Sequence, residues 1–556
     1  MSLSVNLRKK VHRKVWEPVF TPLPVNTAAG GCLVKDHLNL GDGNQCYYIT
    51  GVSAIYLLAA AEEGFGQIPN SGSAGTFGAG SAGFHHPTGP TGTASAGTTT
   101  SLTTGLSLQR DLRGYRVRIT GGTNAGQERI IASNTLGANS IITVQDAFPA
   151  ACDNTSVYAI MSGRLWFYVP AATSGFNYYD FATNAWTARS VASGPAITSG
   201  EGCLMGTPSQ DCITDYGTAS ASAASSLTDA SRAWVVNQWA NTLVKIVSGT
   251  GAGQYRIVTS NTSTVLTVNA AWSTNPDTTS IYEVGSFSAG IASAGAASTI
   301  TNGTSGAATW ATNMWATYQV RIVAGTGVGQ VRTIASNTGS ILTVSSNWTT
   351  NPDSTSYFVI EGNDDSLYFL GGAAITLFKY SISGNSWSTL SPGTARAGAA
   401  SSGTFGGVIS ECKDPSWYAQ TGPANATTYR QNGRYIYSFR GGTTGTLDVY
   451  DIAANTWINA LGYGGASNET FTIGSSFDDM EGYIYIQKDA TGRFFRFDVA
   501  KNEQIPVGTN TAVQSTAING ARTYIDKYFD SSNGKAVKFI YWAANSSPYL
   551  SRMLEI

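Results

Sequence analysis

Short runs in which apolar and polar residues alternate recur along the chain, separated by polar, glycine-rich turns. Val244-Lys245-Ile246-Val247 and Tyr255-Arg256-Ile257-Val258 show the pattern. Successive side chains of a strand point to opposite faces, so such alternation predicts strands with one buried face. Glu, Lys and Leu are sparse, while Tyr, Trp, Phe, Val and Ile recur in short runs. The expected fold class is therefore all-β, with many short strands and turns of Gly, Ser, Thr and Asn.

A longer pattern overlies the alternation. Gly163-Arg164-Leu165-Trp166-Phe167-Tyr168 precedes Tyr179-Asp180 and Trp186. Ser366-Leu367-Tyr368-Phe369-Leu370-Gly371-Gly372 precedes Tyr380 and Trp387. Arg434-Tyr435-Ile436-Tyr437 leads to Gly441-Gly442, then Tyr450-Asp451 and Trp457. Gly482-Tyr483-Ile484-Tyr485-Ile486 precedes Phe497-Asp498 and Gln504, and a weaker copy runs from Tyr47 to Gly51, then Leu58 and Phe65. In every copy the last two landmarks lie seven positions apart.

This pattern resembles the kelch repeat. The resemblance implies that the Gly-Gly strand is the second of a propeller blade, the Tyr-Asp strand the third, and that the Trp begins the fourth. The chain end offers Val537 to Trp542 and Leu550 to Ile556, and the chain start offers Val15 to Phe20 as a missing Trp strand. Five internal copies and one copy split across the termini predict a six-bladed β-propeller closed by its N- and C-terminal strands, which leaves no exposed edge.

A second repeat is sharper. Trp234, Asn237, Trp239, Gly253-Gln254-Tyr255-Arg256, Trp272 and Asp277 recur as Trp310, Asn313, Trp315, Gly329-Gln330-Val331-Arg332, Trp348 and Asp353, each 76 residues later. A degraded copy, with Gly126-Gln127-Glu128-Arg129, runs from Tyr115 to Tyr158. Each copy reads as a small β-barrel-like module. Trp186 and Trp387 stand 201 residues apart; removing two 76-residue repeats leaves 49, close to the 47 from Trp457 to Gln504. The modules are therefore expected as inserts, each between the first and second strands of a blade. The segment Cys412 to Asn432 falls at the same connection. The expected organisation is residues 1–95 propeller (closing strand and first blade), 96–160 module 1, 161–220 blade 2, 221–286 module 2, 287–361 module 3, and 362–556 blades 3 to 6.

Charge changes this picture little. The chain has 556 residues and a net charge of -1, with 12% charged residues, so no global field draws it to nucleic acid, whose contact would be transient at most. No apolar run reaches the ~18 residues that span a bilayer. The start, Met1 to Phe20, lacks the apolar stretch of a secretory leader. The basic run Arg8, Lys9, Lys10, Arg13 and Lys14 reads as a solvated arm or an assembly contact. Six cysteines show no CxxC pairing and read as buried free thiols, with Cys203 and Cys212 the pair to test.

Candidate chemistry is thin. The glycines around Gly253 and Gly329 lie between strands and lack the Gly-Lys-Ser/Thr of a phosphate loop, so Gln254, Arg256, Gln330 and Arg332 are expected to act structurally. His85-His86 sits in a Gly/Pro/Ser/Thr-rich stretch that reads as a solvent loop. Asp364-Asp365, Asp478-Asp479 with Glu481, and Asp211 with Asp215 read as turn carboxylates rather than catalytic pairs. No catalytic residues, cofactor or metal are expected. Trp417, Tyr418, Arg8, Lys9 and Lys10 are the candidate partner contacts.

The modules resemble those of phage tail and fibre proteins, and the plan is similar to that of short-tailed-phage nozzle proteins. These resemblances imply a structural part of a bacteriophage virion, a tail nozzle or tail-tip protein that forms a ring with copies of itself and contacts other virion proteins. The composition leaves a glycan- or receptor-binding adhesin, a head decoration protein and a carbohydrate-active enzyme as further readings.

Overall fold

The computed structural model describes residues 82–168, 175–195, 215–285, 289–304, 310–363, 365–370, 375–397, 435–438, 447–461, 484, 495–497 and 504–506, and elsewhere the backbone of individual strands. All regular structure among the described residues is β-strand.

Six antiparallel sheets have four strands each. Their first strands are Cys32–Lys35, Ala82–His86, Cys203–Gly206, Phe405–Ile409, Phe471–Asp478 and Thr523–Asp530. Each first strand lies beside the first strand of the next sheet, and the sixth lies beside the first, so the six form a closed circuit of neighbours. The sixth sheet takes its fourth strand from the other end of the chain: Trp16–Pro18 pairs with Leu550–Glu555, and Trp16 stands opposite Met553.

The seven-residue spacing is a pairing register. Tyr179 faces Trp186, Tyr380 faces Trp387, Tyr450 faces Trp457, Phe497 faces Gln504 and Leu58 faces Phe65 across the hairpin of third and fourth strands. In three copies the hairpin turn needs a residue with φ near +50°, supplied by Asn184, Asn385 and Asn455. Asn tolerates that region better than other residues with a Cβ. The tyrosine hydroxyl donates to this Asn Oδ1, at 2.6 Å for Tyr179, 2.8 Å for Tyr380 and 2.7 Å for Tyr450. One tyrosine thus packs its ring on the Trp and ties off the turn.

Successive sheets pack face to face through these aromatics. Trp166, Tyr168 and Phe176 of the second sheet share a core with Leu367, Phe369, Tyr380 and Trp387 of the third. Tyr368, Leu370 and Leu377 of the third do so with Ile436, Tyr450 and Trp457 of the fourth. The strand-end loops reinforce the stack: Arg189 Nε donates to Tyr380 Oη at 2.9 Å, and Trp387 Nε1 donates to Ser190 O at 2.9 Å.

The modules interrupt this series at the expected connection. Ala82–His86 pairs with Arg164–Tyr168 across module 1, and Cys203–Gly206 pairs with Ser366–Leu370 across modules 2 and 3. Among the described residues, module 3 alone is one continuous closed barrel, of six strands. There, Ala289–Ala296 pairs with both Tyr357–Glu361 and Thr299–Asn302. Modules 1 and 2 have the same pairing order but are each a seven-stranded sheet, barrel-like with the first strand split in two. The reason is local. The corresponding stretch breaks into Thr91–Thr93 and Ala96–Gly97 in module 1, and into Asp215–Thr218 and Ala221–Ala223 in module 2. Backbone bonds carry the seam across each break, from Ala94 N to Ser156 O (2.9 Å) and from Ser95 N to Thr103 O (3.0 Å) in module 1. Because these strands pair with the last strand of their own module, the module sheets start at Thr91 and Asp215, ahead of the boundaries at 96 and 221.

Candidate functional site

The Gly-Gln-x-Arg turns are the sharpest motif of the chain, and local bonding consumes them. Gln254 Nε2 donates to Gly251 O (3.1 Å) and Thr274 O (2.7 Å), and its Oε1 accepts from Ser273 N (2.7 Å) and Thr274 N (3.2 Å). Gln330 repeats this with Gly327 O, Thr350 O, Thr349 N and Thr350 N. Each glutamine therefore clips its hairpin to the loop after the module's Trp. The arginine two residues on lies over that Trp, Arg256 on Trp272 at 5.3 Å and Arg332 on Trp348 at 5.5 Å, and Arg129 lies over Phe148 at 5.3 Å.

Most backbone amides of the turn are taken as well. Gly253 N donates to Ile246 O, Ala252 N to Gly249 O, Gln254 N to Gly251 O and Thr250 N to Thr279 Oγ1. Gly249 N donates to Asp146 Oδ1 of module 1 at 3.2 Å. A phosphate cradle needs such amides convergent and open, whereas here five of them, at Gly249, Thr250, Ala252, Gly253 and Gln254, are already bonded within the fold. Asn134, Asn261 and Asn337 are equally absorbed: their Oδ1 atoms accept from the backbone amides of Leu112, Trp239 and Trp315.

The other concentration of polar side chains lies between modules. Buried Glu128 of module 1 bonds Arg116 (3.2 Å) and Arg118 (2.6 Å) of its own module and Lys245 of module 2. Arg116 also bonds Glu283 of module 2. Burial alone would raise the Glu128 carboxyl; Lys245, Arg118 and Arg116 outweigh it and hold the group well below the usual carboxylate range. Three cations and two carboxylates thus form one ion-pair network across the contact of modules 1 and 2. Modules 2 and 3 meet through Leu243, Tyr255 and Ile257 against Ala289, Val323 and Val359. Modules 1 and 3 touch reciprocally at their turns. A Cβ on Gly126 would stand 2.8 Å from Val323 O and against Val328, and one on Gly329 would stand 2.8 Å from Thr120 O and 3.0 Å from Ala125 Cβ. The three modules are one packed body.

The other residues singled out in the sequence fall as follows. Trp417, Tyr418, Arg8, Lys9 and Lys10 lie outside the described residues, as do Asp211, Asp364 and Cys212. His85 and His86 correct the solvent-loop expectation: they are buried on the strand Ala82–His86, opposite Leu165 and Arg164, because that strand is the first of the second sheet. Asp365 accepts from Ser381 Oγ, Ser383 N and Ser383 Oγ, the bonding of a turn carboxylate. Asp215 pairs with Arg232 at 3.3 Å and accepts from Trp234 Nε1 at 2.8 Å. Cys152 is a buried free thiol. Among the described residues, no group of three or more His, Cys, Asp and Glu could hold a metal, and no helix is long and apolar enough to cross a membrane. Sequence reasoning missed the inter-module network, whose partners Arg116 and Glu283 are 167 positions apart.

No protein-family model and no curated protein matches the chain. Among solved structures, an auxiliary nutrient binding protein from Bacteroides thetaiotaomicron VPI-5482 shares 11% identity over 84% of this chain and 97% of its own, with a TM-score of 0.20. An auxiliary nutrient binding protein from Bacteroides ovatus ATCC 8483 shares 7% over 84% and 95%, with a TM-score of 0.21. A puromycin-hydrolyzing peptidase from Mycobacterium tuberculosis shares 10% over 95% of this chain and 62% of its own, with a TM-score of 0.18. At such TM-scores these likenesses bear on neither fold nor function.

Proposed function

We propose that the six four-stranded sheets are the blades of one propeller, closed by the pairing of Trp16–Pro18 with Leu550–Glu555, and that the protein is a non-catalytic structural part of a bacteriophage virion. Its place is the tail, as a nozzle or tail-tip component in a ring of copies. One observation carries the structural, non-catalytic part of this reading: the repeated polar residues of the modules are spent on internal bonds, so the modules serve as folded building blocks. The closed circuit of first strands supports the ring of blades. The attachment of all three modules at first-to-second strand connections supports one decorated face. The phage assignment rests on the resemblance of the modules to those of tail and fibre proteins. A mass-spectrometric inventory of purified virions tests it. Peptides of this chain at a fixed ratio to other tail proteins are expected. Absence from particles, with the free protein turning over host polysaccharide, would overturn it.

A further inference from the structure

The two chain segments that carry module 1 leave and re-enter the second sheet side by side, and a histidine pair stands at that point. His85 and His86 end the strand Ala82–His86, and both are buried. Just beyond them Gly163 N donates to Pro87 O at 3.0 Å and Gly89 N to Ile160 O at 2.8 Å, which holds the outgoing and returning segments together. Between these bonds, Thr88 N donates to His86 Nδ1 at 3.2 Å. That nitrogen therefore keeps its lone pair, and the ring is neutral. His85 closes the junction beside it: its ring lies 6.2 Å from Phe181, and a Cβ on Gly163, whose φ is +77°, would collide with its Nε2. His86 stands directly opposite Arg164, and Arg164 directly opposite Asp180, so the three share one face of the sheet. Asp180 is committed. Its Oδ2 accepts from Arg164 Nε at 2.8 Å, and its Oδ1 from the amides of Ala182 (3.0 Å) and Thr183 (3.2 Å). The other charged group described at the junction is again a cation, Arg110 of module 1, which lies over Tyr179 and Phe181. Tyr178 and Tyr179 are the further titratable groups of the third strand, and the neighbouring first strands Cys32–Lys35 and Cys203–Gly206 bring Cys32, Lys35 and Cys203. A proton on His86 would thus add a cation opposite a cation, inside the fold.

We infer that His86 is an acid-release latch between module 1 and the second sheet: a proton taken up on Nδ1 displaces the Thr88 amide and opens the junction. The neutral ring stabilises the closed junction at and above neutral pH, and that contribution is lost as pH falls. A histidine in solvent takes up its proton near about pH 6.5, so one histidine that is protonated only when the junction opens favours opening by about tenfold between about pH 7.5 and 5.5. The Glu128 network outlasts the latch, because its carboxyl stays ionised to lower pH. Modules 2 and 3 hang from the third sheet between Cys203–Gly206 and Ser366–Leu370, strands without histidine. Mild acid therefore releases one attachment of the three-module body and leaves the other in place.

The test is hydrogen exchange of the full chain, read by mass spectrometry across that pH range and corrected for the intrinsic pH dependence of exchange. In wild type, peptides spanning residues 82–90 and 160–168 are expected to open about tenfold more readily at the acid end. Strands Ser366–Leu370 and Ile341–Val344 should not change. His86→Asn keeps an acceptor, Oδ1, for the Thr88 amide and does not titrate. It should hold the junction closed at neutral pH and abolish the acid response. The chain has four histidines, and the double variant His12→Asn/His37→Asn leaves the junction pair as the only ones, so it should respond as wild type does. A junction in wild type that is equally protected at both ends of the range, or a full acid response in His86→Asn, would overturn the latch. So would loss of the response in the double variant, a result that decides even where His86→Asn does not fold.

Discussion

Modules 1 and 2 meet through charge and modules 2 and 3 through hydrocarbon, yet both contacts use the same positions of the repeat. The residue after the turn glutamine is Glu128 in module 1 and Tyr255 in module 2, and the strand position that carries Arg116 in one carries Leu243 in the other. Tyr255 even serves both sides, with its ring in the apolar contact and its hydroxyl donating to Gly126 O at 3.1 Å. The repeat fixes the barrel through its core, and leaves the outward positions of two strands free to choose a partner. The two solutions differ in kind. Apolar burial stabilises in rough proportion to area. A buried ion network is costly to desolvate and tolerates only the partner that completes it. On this account the ionic contact decides that module 2 follows module 1, and the apolar contact supplies the holding energy.

The largest expected break is Glu128→Gln, which leaves Arg118 and Lys245 buried without their carboxylate. Losing one partner of a buried pair typically costs about 3–5 kcal/mol. Chemical denaturation and hydrogen exchange of strand Leu243–Ser248 would read it, and a cost below about 1 kcal/mol would refute the network's role. Acid offers a reversible version. The folded carboxyl of Glu128 is depressed, so its contribution is present above the ordinary carboxylate pKa and is lost as pH falls toward the lower folded value. Exchange protection at the module 1–2 contact should fall with pH before protection around Ile257 does. Simultaneous loss at both contacts would contradict the comparison.

On the apolar side, Ile257→Ala should cost about 2–4 kcal/mol as a buried truncation. Its effect should not change with salt, whereas high salt should weaken the ionic contact where it meets solvent. Gly126→Ala is the third probe. Its φ of +81° and the 2.8 Å approach to Val323 O should make it destabilising by about 1–3 kcal/mol. Gly137→Ala, with φ of +89° and open space around its Cβ, should cost less. Equal costs would mean that backbone strain alone, and not the contact of modules 1 and 3, sets the value. The smallest effect is expected for Gln254→Ala and Gln330→Ala, about 1–2 kcal/mol each from lost clip bonds. Calorimetry should find the two alike, since their bonding is alike.

Much of the fold was legible because the landmarks are paired neighbours. A spacing of seven between Tyr450 and Trp457 is what a hairpin with Asn455 at its turn imposes, so counting residues located third and fourth strands. The modules showed as inserts because their repeat length subtracts cleanly from the spacing of the Trp186 and Trp387 landmarks. Continuity of the barrel's first strand was not legible, since it turns on whether that strand bends or breaks at Ala94 and Ser95. Nor was the burial of His85 and His86, because composition around them matched a loop while their pairing with Arg164 and Leu165 made them a first strand of the second four-stranded sheet. The inter-module network escaped for a third reason. Its residues come from two repeats at equivalent but non-identical positions, and no single-chain pattern marks which copy faces which.

The most direct test of the account is a cryo-EM reconstruction of phage particles purified from a lysate in which the protein is made. The account predicts a ring of copies in the tail, each copy a closed circuit of six four-stranded sheets with Trp16–Pro18 beside Leu550–Glu555 and the three modules on one face. An open arc of sheets, a monomer on the capsid surface, or particles that lack the chain would contradict it.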